Sequence, residues 1–239
     1  MIGLLVHLLG ASGALQVSSR YYRHLLTSRA ATPICLQEGV LDMLNEVPVF
    51  GIASGDQLLA SGAEEGSQAI TFYIDIDEAK ESLEAVKATN PNAVLKVAPL
   101  GIAFSQALSA RSPTGDVSVP VRLQPSQAEY GSMRQNLGFP AVEETGDTTG
   151  PPPQLIPLFY SEKLNFEDPD GGVLTPLFFG VADFRTAWVA SGQNIDDLPG
   201  LLLTDLRTLA YDMEHDTSKD WRSAVLIPPE AGMAFVRGT

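Results

Sequence analysis

The second half of this 239-residue chain repeats the pattern of the first, about 105 residues later. Ile70-Thr71-Phe72-Tyr73-Ile74 reads as a strand, Asp75 follows, and Ile76, Ala79 and Leu83 then fall on one helical face. Thr175-Pro176-Leu177-Phe178-Phe179 reads as a strand, Gly180 follows, and Val181, Phe184 and Trp188 fall on one helical face. Asp75 and Glu78 make a capping-box-like pair whose places in the second copy are taken by Gly180 and Asp183. Val121-Arg122-Leu123-Gln124-Pro125 matches Val225-Leu226-Ile227-Pro228-Pro229 at an offset of 104, and Val47-Pro48-Val49-Phe50 matches Ile156-Pro157-Leu158-Phe159 at 109. The loops between landmarks therefore differ in length. One strand–strand–helix unit alone leaves an apolar face bare, and two paired units bury both. The repeat predicts an α+β fold with pseudo-two-fold symmetry: duplicated strand–strand–helix units forming a central sheet flanked by helices. The expected organisation is a single domain over 33–239, with half-repeats at 36–138 and 154–236. Gly146, Gly150, Pro151, Pro152 and Pro153 mark 139–153 as the linker between them.

Charge narrows the partners. The net charge is −14, and the acidic residues all lie beyond residue 37. Such a balance argues against nucleic-acid binding, which needs a basic surface, and against docking on anionic lipid by charge alone. Cys35 is the only cysteine, so an intrachain disulfide and a Cys-rich metal site are excluded. Residues 1–32 differ from the rest: an apolar start at Met1–Leu9, then Arg20, Arg23 and Arg29 among scattered Ser and Thr, with no acid. This reads as a targeting segment of the organellar kind, the plain alternative being an ordinary N-terminal helix. The apolar run is too short to cross a bilayer, and no later segment has about 18 consecutive apolar residues. A soluble or peripheral body, with no integral span, is expected.

Periodicity places the remaining elements. Leu36, Val40, Leu41 and Leu44 have helical spacing and lead into a strand at Val47–Ala53. Gly62–Gly66 reads as a hairpin turn. The helix from Ile76 should end before Asn90-Pro91, since the residue before proline resists the αR region. Val94–Pro99 and Val119–Leu123 read as strands, Leu100–Ala110 and Pro125–Leu137 as helices, and Pro113–Val117 as a turn. In the second half strands are expected at 155–160, 173–179, 201–203 and 224–227, and helices at 181–190, stopped by Gly192, and at 205–213.

Catalytic chemistry is hard to find. His7 and His24 lie in the N-terminal segment, which leaves His215 alone in the body. Asp212, His215 and Asp216 have the spacing of a helical metal site, but a polar helix end leading into a loop explains them as well. Gly51-Ile52-Ala53-Ser54-Gly55 has the wrong spacing for a nucleophile elbow, and no phosphate-cradling glycine motif occurs. Asp75-Ile76-Asp77 resembles a metal-binding carboxylate pair, yet its counterpart is Gly180-Val181-Ala182, and a helix N-cap explains Asp75. The expectation is a chain without catalytic residues, metal or cofactor. The aromatic strand ends are the stronger signal. Phe72 and Tyr73 stand at one, Phe178 and Phe179 at the other, and alternation sends one of each pair to each sheet face. Core packing is the ordinary reading. The functional one is an apolar groove, made twice, that binds extended hydrophobic peptides through Phe72, Tyr73, Phe178 and Phe179.

Taken in order, these landmarks resemble a known family. The helix into Val47-Pro48-Val49-Phe50, the Phe72-Tyr73 strand with its capped helix, Asn90-Pro91, and the strand ending near Pro125-Ser126-Gln127 come first. Pro176-Leu177-Phe178-Phe179, the Asp183–Trp188 helix start, Leu201–Asp205 and Val225-Leu226-Ile227-Pro228-Pro229 follow. The order is similar to the twenty-two-kilodalton component family of the Tic protein-import machinery at the inner chloroplast envelope, over about residues 36–235. The resemblance implies a soluble protein of the plastid envelope intermembrane space. It further implies a chaperone-like binder of unfolded precursor proteins and their transit peptides, working beside the import translocon subunits. Its fold would be a pseudo-two-fold α/β sandwich with apolar pockets and no cofactor. Departures fall in the loops at Pro113–Val119 and Phe139–Pro153. Two other classes stay open on the residues alone: a small metal- or carboxylate-dependent hydrolase, and a purely structural envelope subunit.

Overall fold

The computed structural model describes residues 5–8, 15–18, 36–61, 68–109, 119–129, 156–168, 171–197, 201–215, 221 and 223–238. The expected turns at Gly62–Gly66 and Pro113–Val117 and the linker at 139–153 lie outside the described residues, as does most of the expected helix Pro125–Leu137, of which 127–129 are helical. Along the chain come β1 (Leu5–Leu8), β2 (Leu15–Ser18), α1 (Leu36–Asn45), β3 (Pro48–Ser54), β4 (Gln57–Leu58), β5 (Ala60–Ser61) and β6 (Ala69–Tyr73). Then follow α2 (Ile76–Lys87), β7 (Ala93–Pro99), α3 (Leu100–Ser109) and β8 (Val121–Gln124). The second half holds β9 (Pro157–Tyr160), β10 (Phe166–Glu167), β11 (Val173–Phe178), α4 (Val181–Ala190), β12 (Leu202–Asp205), α5 (Leu206–His215), β13 (Ala224–Ile227) and α6 (Glu230–Gly238). The class is α+β, as the sequence predicts.

The strands form two sheets, where the sequence reading expects one central sheet. The reason is local closure. In the first half the central strand β6 finds its partners nearby: β3 antiparallel on one side and β8 parallel on the other, with β7 beyond β3. In the second half β11 does the same, with β9 antiparallel, β13 parallel, and β12 beyond β9. Each ladder is satisfied by its own half, so neither needs a strand from the other. The chain accordingly groups into two compact units. One is Asn45–Pro157 with Pro228–Thr239, and the other is Met1–Leu44 with Leu158–Ile227.

The pairing between the first two strands of each half carries two of the offsets seen in the sequence. Phe50 stands opposite Tyr73, and Phe159 opposite Phe178, which are 109 and 105 residues further on. The third offset differs from the expected value. Leu123 faces Phe72, and Leu226 faces Leu177, an offset of 103 in place of 104. Leu123 and Leu226 are both buried at these positions.

In the first unit α2 lays Ile76, Ala79 and Leu83 on Phe50, Ile52 and Tyr73 of the sheet. Asp75 starts this helix: its Oδ1 accepts the amide hydrogens of Asp77 (2.8 Å) and Glu78 (3.3 Å). Glu78 accepts from the Gln124 side chain (2.9 Å) and from the Gln127 amide, which ties the first turn of α2 to the end of β8. The C-terminal helix α6 packs on the same core. Phe235 meets Phe50 edge-on at 5.7 Å between centroids, and Gly232 lets the helix approach, since a Cβ there would sit 3.3 Å from the Phe50 ring.

In the second unit α4 places Phe184 and Trp188 on Phe178, Leu174 and Val225. Gly180 caps this helix without a side-chain hydrogen bond. Gly192 ends it at φ +82, a left-handed position that glycine adopts without strain. The sheet also takes in β2, which pairs with β1 as a hairpin and runs parallel to β10. These two strands and α6 have no counterpart among the elements expected from the sequence.

Candidate functional site

The four aromatic residues singled out by the sequence are all buried, with exposures of 1% for Phe72, 6% for Tyr73, 2% for Phe178 and 3% for Phe179. They do not gather at one place. Tyr73 joins the α2-facing core and Phe178 the α4-facing core. Phe72, next along β6 from Tyr73, therefore points to the opposite face. Of the four, Tyr73 alone is placed on the wall of the recess described below. The carboxylates with described side chains are held in local hydrogen bonds. Asp75 is an N-cap, Asp212 accepts the indole hydrogen of Trp221 at 3.1 Å, His215 ends α5, and Asp216 lies outside the described residues. No group of three or more His, Cys, Asp or Glu side chains gathers among the described residues.

What the structure adds is an open sheet edge. β7 is a seven-residue strand that pairs with β3 along its whole length, and no other described strand pairs with it. The Leu100 amide donates to the Val47 carbonyl at 2.8 Å, which makes 47/100 a hydrogen-bonded pair. In an antiparallel ladder such pairs alternate with non-bonded ones. By that alternation 49/98, 51/96 and 53/94 are bonded, while the backbone groups of Leu95 and Val97 point away from β3. The strand also carries Val94 at 46% exposure and Val97 at 44%. Unpaired backbone groups flanked by exposed valines form a template for a further strand. The polar residue between them, Lys96, reaches Asp56 at 3.3 Å, an exposed pair of little energetic weight. Sequence reading finds β7 as a strand but not as an edge. Its one visible signal is Val94-Leu95-Lys96-Val97, where apolar residues fall on both faces and a lysine, frequent at edges, interrupts them.

A second feature lies on the α2 side of the same sheet. A recess of about 320 Å³ is bounded by apolar Ile52, Leu59 and Val86 and by hydrogen-bonding Gln68, Thr71 and Tyr73. None of its lining residues carries a charge.

This arrangement of strands and helices has solved relatives. Tic22 from Plasmodium falciparum matches with a TM-score of 0.61 at 16% identity, over 84% of this chain and 98% of that one. Anabaena Tic22, described as a protein of protein transport, matches with a TM-score of 0.59 at 13% identity, over 85% of this chain and 97% of that one. The fold is Tic22-like. The sequence matches no family model and no curated protein. At these identities the likeness carries the Tic22 fold, and the function has to be argued from the sites on it. Among the described residues of this Tic22-like fold, no helix is long and apolar enough to cross a membrane.

Proposed function

We propose that this chain is a protein-transport component that binds unfolded precursor polypeptide in extended form, with β7 as the docking edge. The single observation that carries the reading is that edge: seven residues long, with the backbone groups of Leu95 and Val97 turned outward between exposed Val94 and Val97. Main-chain hydrogen bonds to it give affinity for any extended segment, whatever its sequence. The likeness to Anabaena Tic22, described as a protein of protein transport, favours a transported polypeptide as the occupant. The net charge of −14 favours basic segments, and Arg-rich transit peptides are basic. In the finer reading, residues 1–32 direct the chain to a plastid, and it works in the envelope intermembrane space between the outer and inner translocons. The role is binding without catalysis, cofactor or nucleotide.

The test has two arms. Stoichiometric protein should suppress aggregation of thermally unfolded citrate synthase, and precursors held in transit should crosslink to it in isolated plastids. A well-folded sample that does neither would overturn the binding role and leave a structural-subunit reading.

A further inference from the structure

The recess beside Tyr73 exists because two strands part. β3 and β6 pair at Phe50–Tyr73 and Gly51–Phe72 and then separate. β3 continues with β4, at Ala53–Leu58 and Ser54–Gln57. β6 continues with β5, at Ala60–Ile70 and Ser61–Ala69. The fork between them, closed on one side by Val86 of α2, is the recess.

The second unit repeats one arm of this fork, that of β6 and β5. β9 and β11 pair at Phe159–Phe178, and β11 then continues with β10, at Phe166–Leu174 and Glu167–Val173. Leu174 lies 105 residues after Ala69, and its partner Phe166 lies 105 residues after Ser61. Phe178 stands in the same relation to Tyr73. In the second unit, then, the place beside this arm is filled by the chain itself: Phe166 is buried and meets Phe178 edge-on, 6.4 Å between centroids. In the first unit a serine holds that place, and the space beside Tyr73 is open.

We infer that the recess is a binding site for one uncharged aromatic ring with a hydrogen-bonding tip, of the tyrosine or tryptophan type, supplied by the bound polypeptide. The occupant's shape follows from Phe166, which shows what the equivalent arm accepts. Its neutrality follows from a lining without charge, because a buried ion would lose its hydration with nothing to replace it. Its polar tip follows from Gln68, Thr71 and Tyr73, whose amide and hydroxyl groups would otherwise face an apolar ring edge. At about 320 Å³ the space is at the small end of ligand pockets and has room for a ring together with its polar tip. That the ring comes from a polypeptide rests on the proposed function; that the recess takes a ring does not.

The experiment is a titration followed by methyl resonances of Ile52, Leu59 and Val86 in the full chain. N-acetyl-tyrosinamide should give saturable shifts at all three, and N-acetyl-lysinamide should give none. Ser61→Phe puts a ring at the register position that Phe166 holds in the second unit and should weaken the tyrosinamide titration at least tenfold. Thr71→Lys, which puts a charge into the recess, should do the same and serves if Ser61→Phe fails to fold. An extended peptide with one tyrosine should bind the wild-type chain about tenfold more tightly than the same peptide with serine there. Absence of saturable shifts in the wild type, or unchanged titration in either folded variant, overturns the ring site. Shifts with tyrosinamide but equal affinity for the two peptides overturn its assignment to a client. Intact ring binding in a chain that captures no unfolded protein sinks the proposed function and leaves the ring site standing.

Discussion

Trp188 shows how one residue combines several kinds of interaction. Its ring stacks on Phe184 at 6.2 Å between centroids, and its indole hydrogen is donated to the Asn194 carbonyl at 2.9 Å. It is among the largest fully enclosed side chains of the described residues. Trp188→Ala should cost about 3–5 kcal/mol, the usual penalty for emptying a large aromatic site. Urea unfolding followed by circular dichroism reads this directly, and a midpoint near wild type would show that the α4 face is not packed as described. Asp75 acts through the backbone. Removing its carboxylate leaves the Asp77 and Glu78 amides without an acceptor, so Asp75→Ala should cost about 0.5–2 kcal/mol. The same substitution should leave client capture unchanged, which separates the cap from any role in binding. Sequence alone makes Asp75 a cap, and it marks Phe184 and Trp188 as core, because helical spacing and a preceding Asp are local signals. It pairs Glu78 with Asp75 in a capping-box-like motif, whereas the structure has Glu78 accepting from Gln124 and Gln127 far along the chain.

At the scale of elements, β7 and α6 invite opposite tests. Proline at position 97 removes an amide hydrogen that points away from β3, so the β3–β7 ladder survives. Val97→Pro should therefore weaken client binding several-fold while moving the urea midpoint little. A variant that unfolds would show that position 97 bonds inward, and one that binds normally would remove β7 as the docking edge. In α6, Phe235 packs on Phe50 and lies under the Lys80 ammonium, 5.9 Å from the ring centroid. Phe235 is only partly buried, so Phe235→Ala should cost less than the roughly 3–5 kcal/mol of a fully enclosed ring. Loss of stability on that substitution, measured by thermal unfolding, would show that α6 belongs to the core of the first unit. Indifference would show that it is a loosely held tail.

For the whole molecule, charge sets the expectation. A chain of net charge −14 attracts basic segments, and salt screens that attraction over a Debye length of about 8–10 Å near physiological ionic strength. Binding of an Arg-rich transit peptide should weaken as salt is raised, whereas binding of a neutral extended peptide should change little. Both can be followed by fluorescence anisotropy across a salt series. Equal salt dependence for the two peptides would remove the acidic surface from the recognition.

The sequence by itself determined the α+β class and the positions of α2 and α4 with their buried faces. All of these follow from hydrophobic period and from residues that start or stop a helix, which act over a few neighbours. Only the tertiary structure decided that the strands make two sheets, that α6 packs on Phe50, that β7 is an edge, and that the fork beside Tyr73 is open while its counterpart holds Phe166. The physical reason is that periodicity tells which side of a strand is buried, not which strand lies beside it. Backbone hydrogen-bonding groups are the same at every residue but proline, so the choice of neighbour is made by packing between residues far apart in the chain.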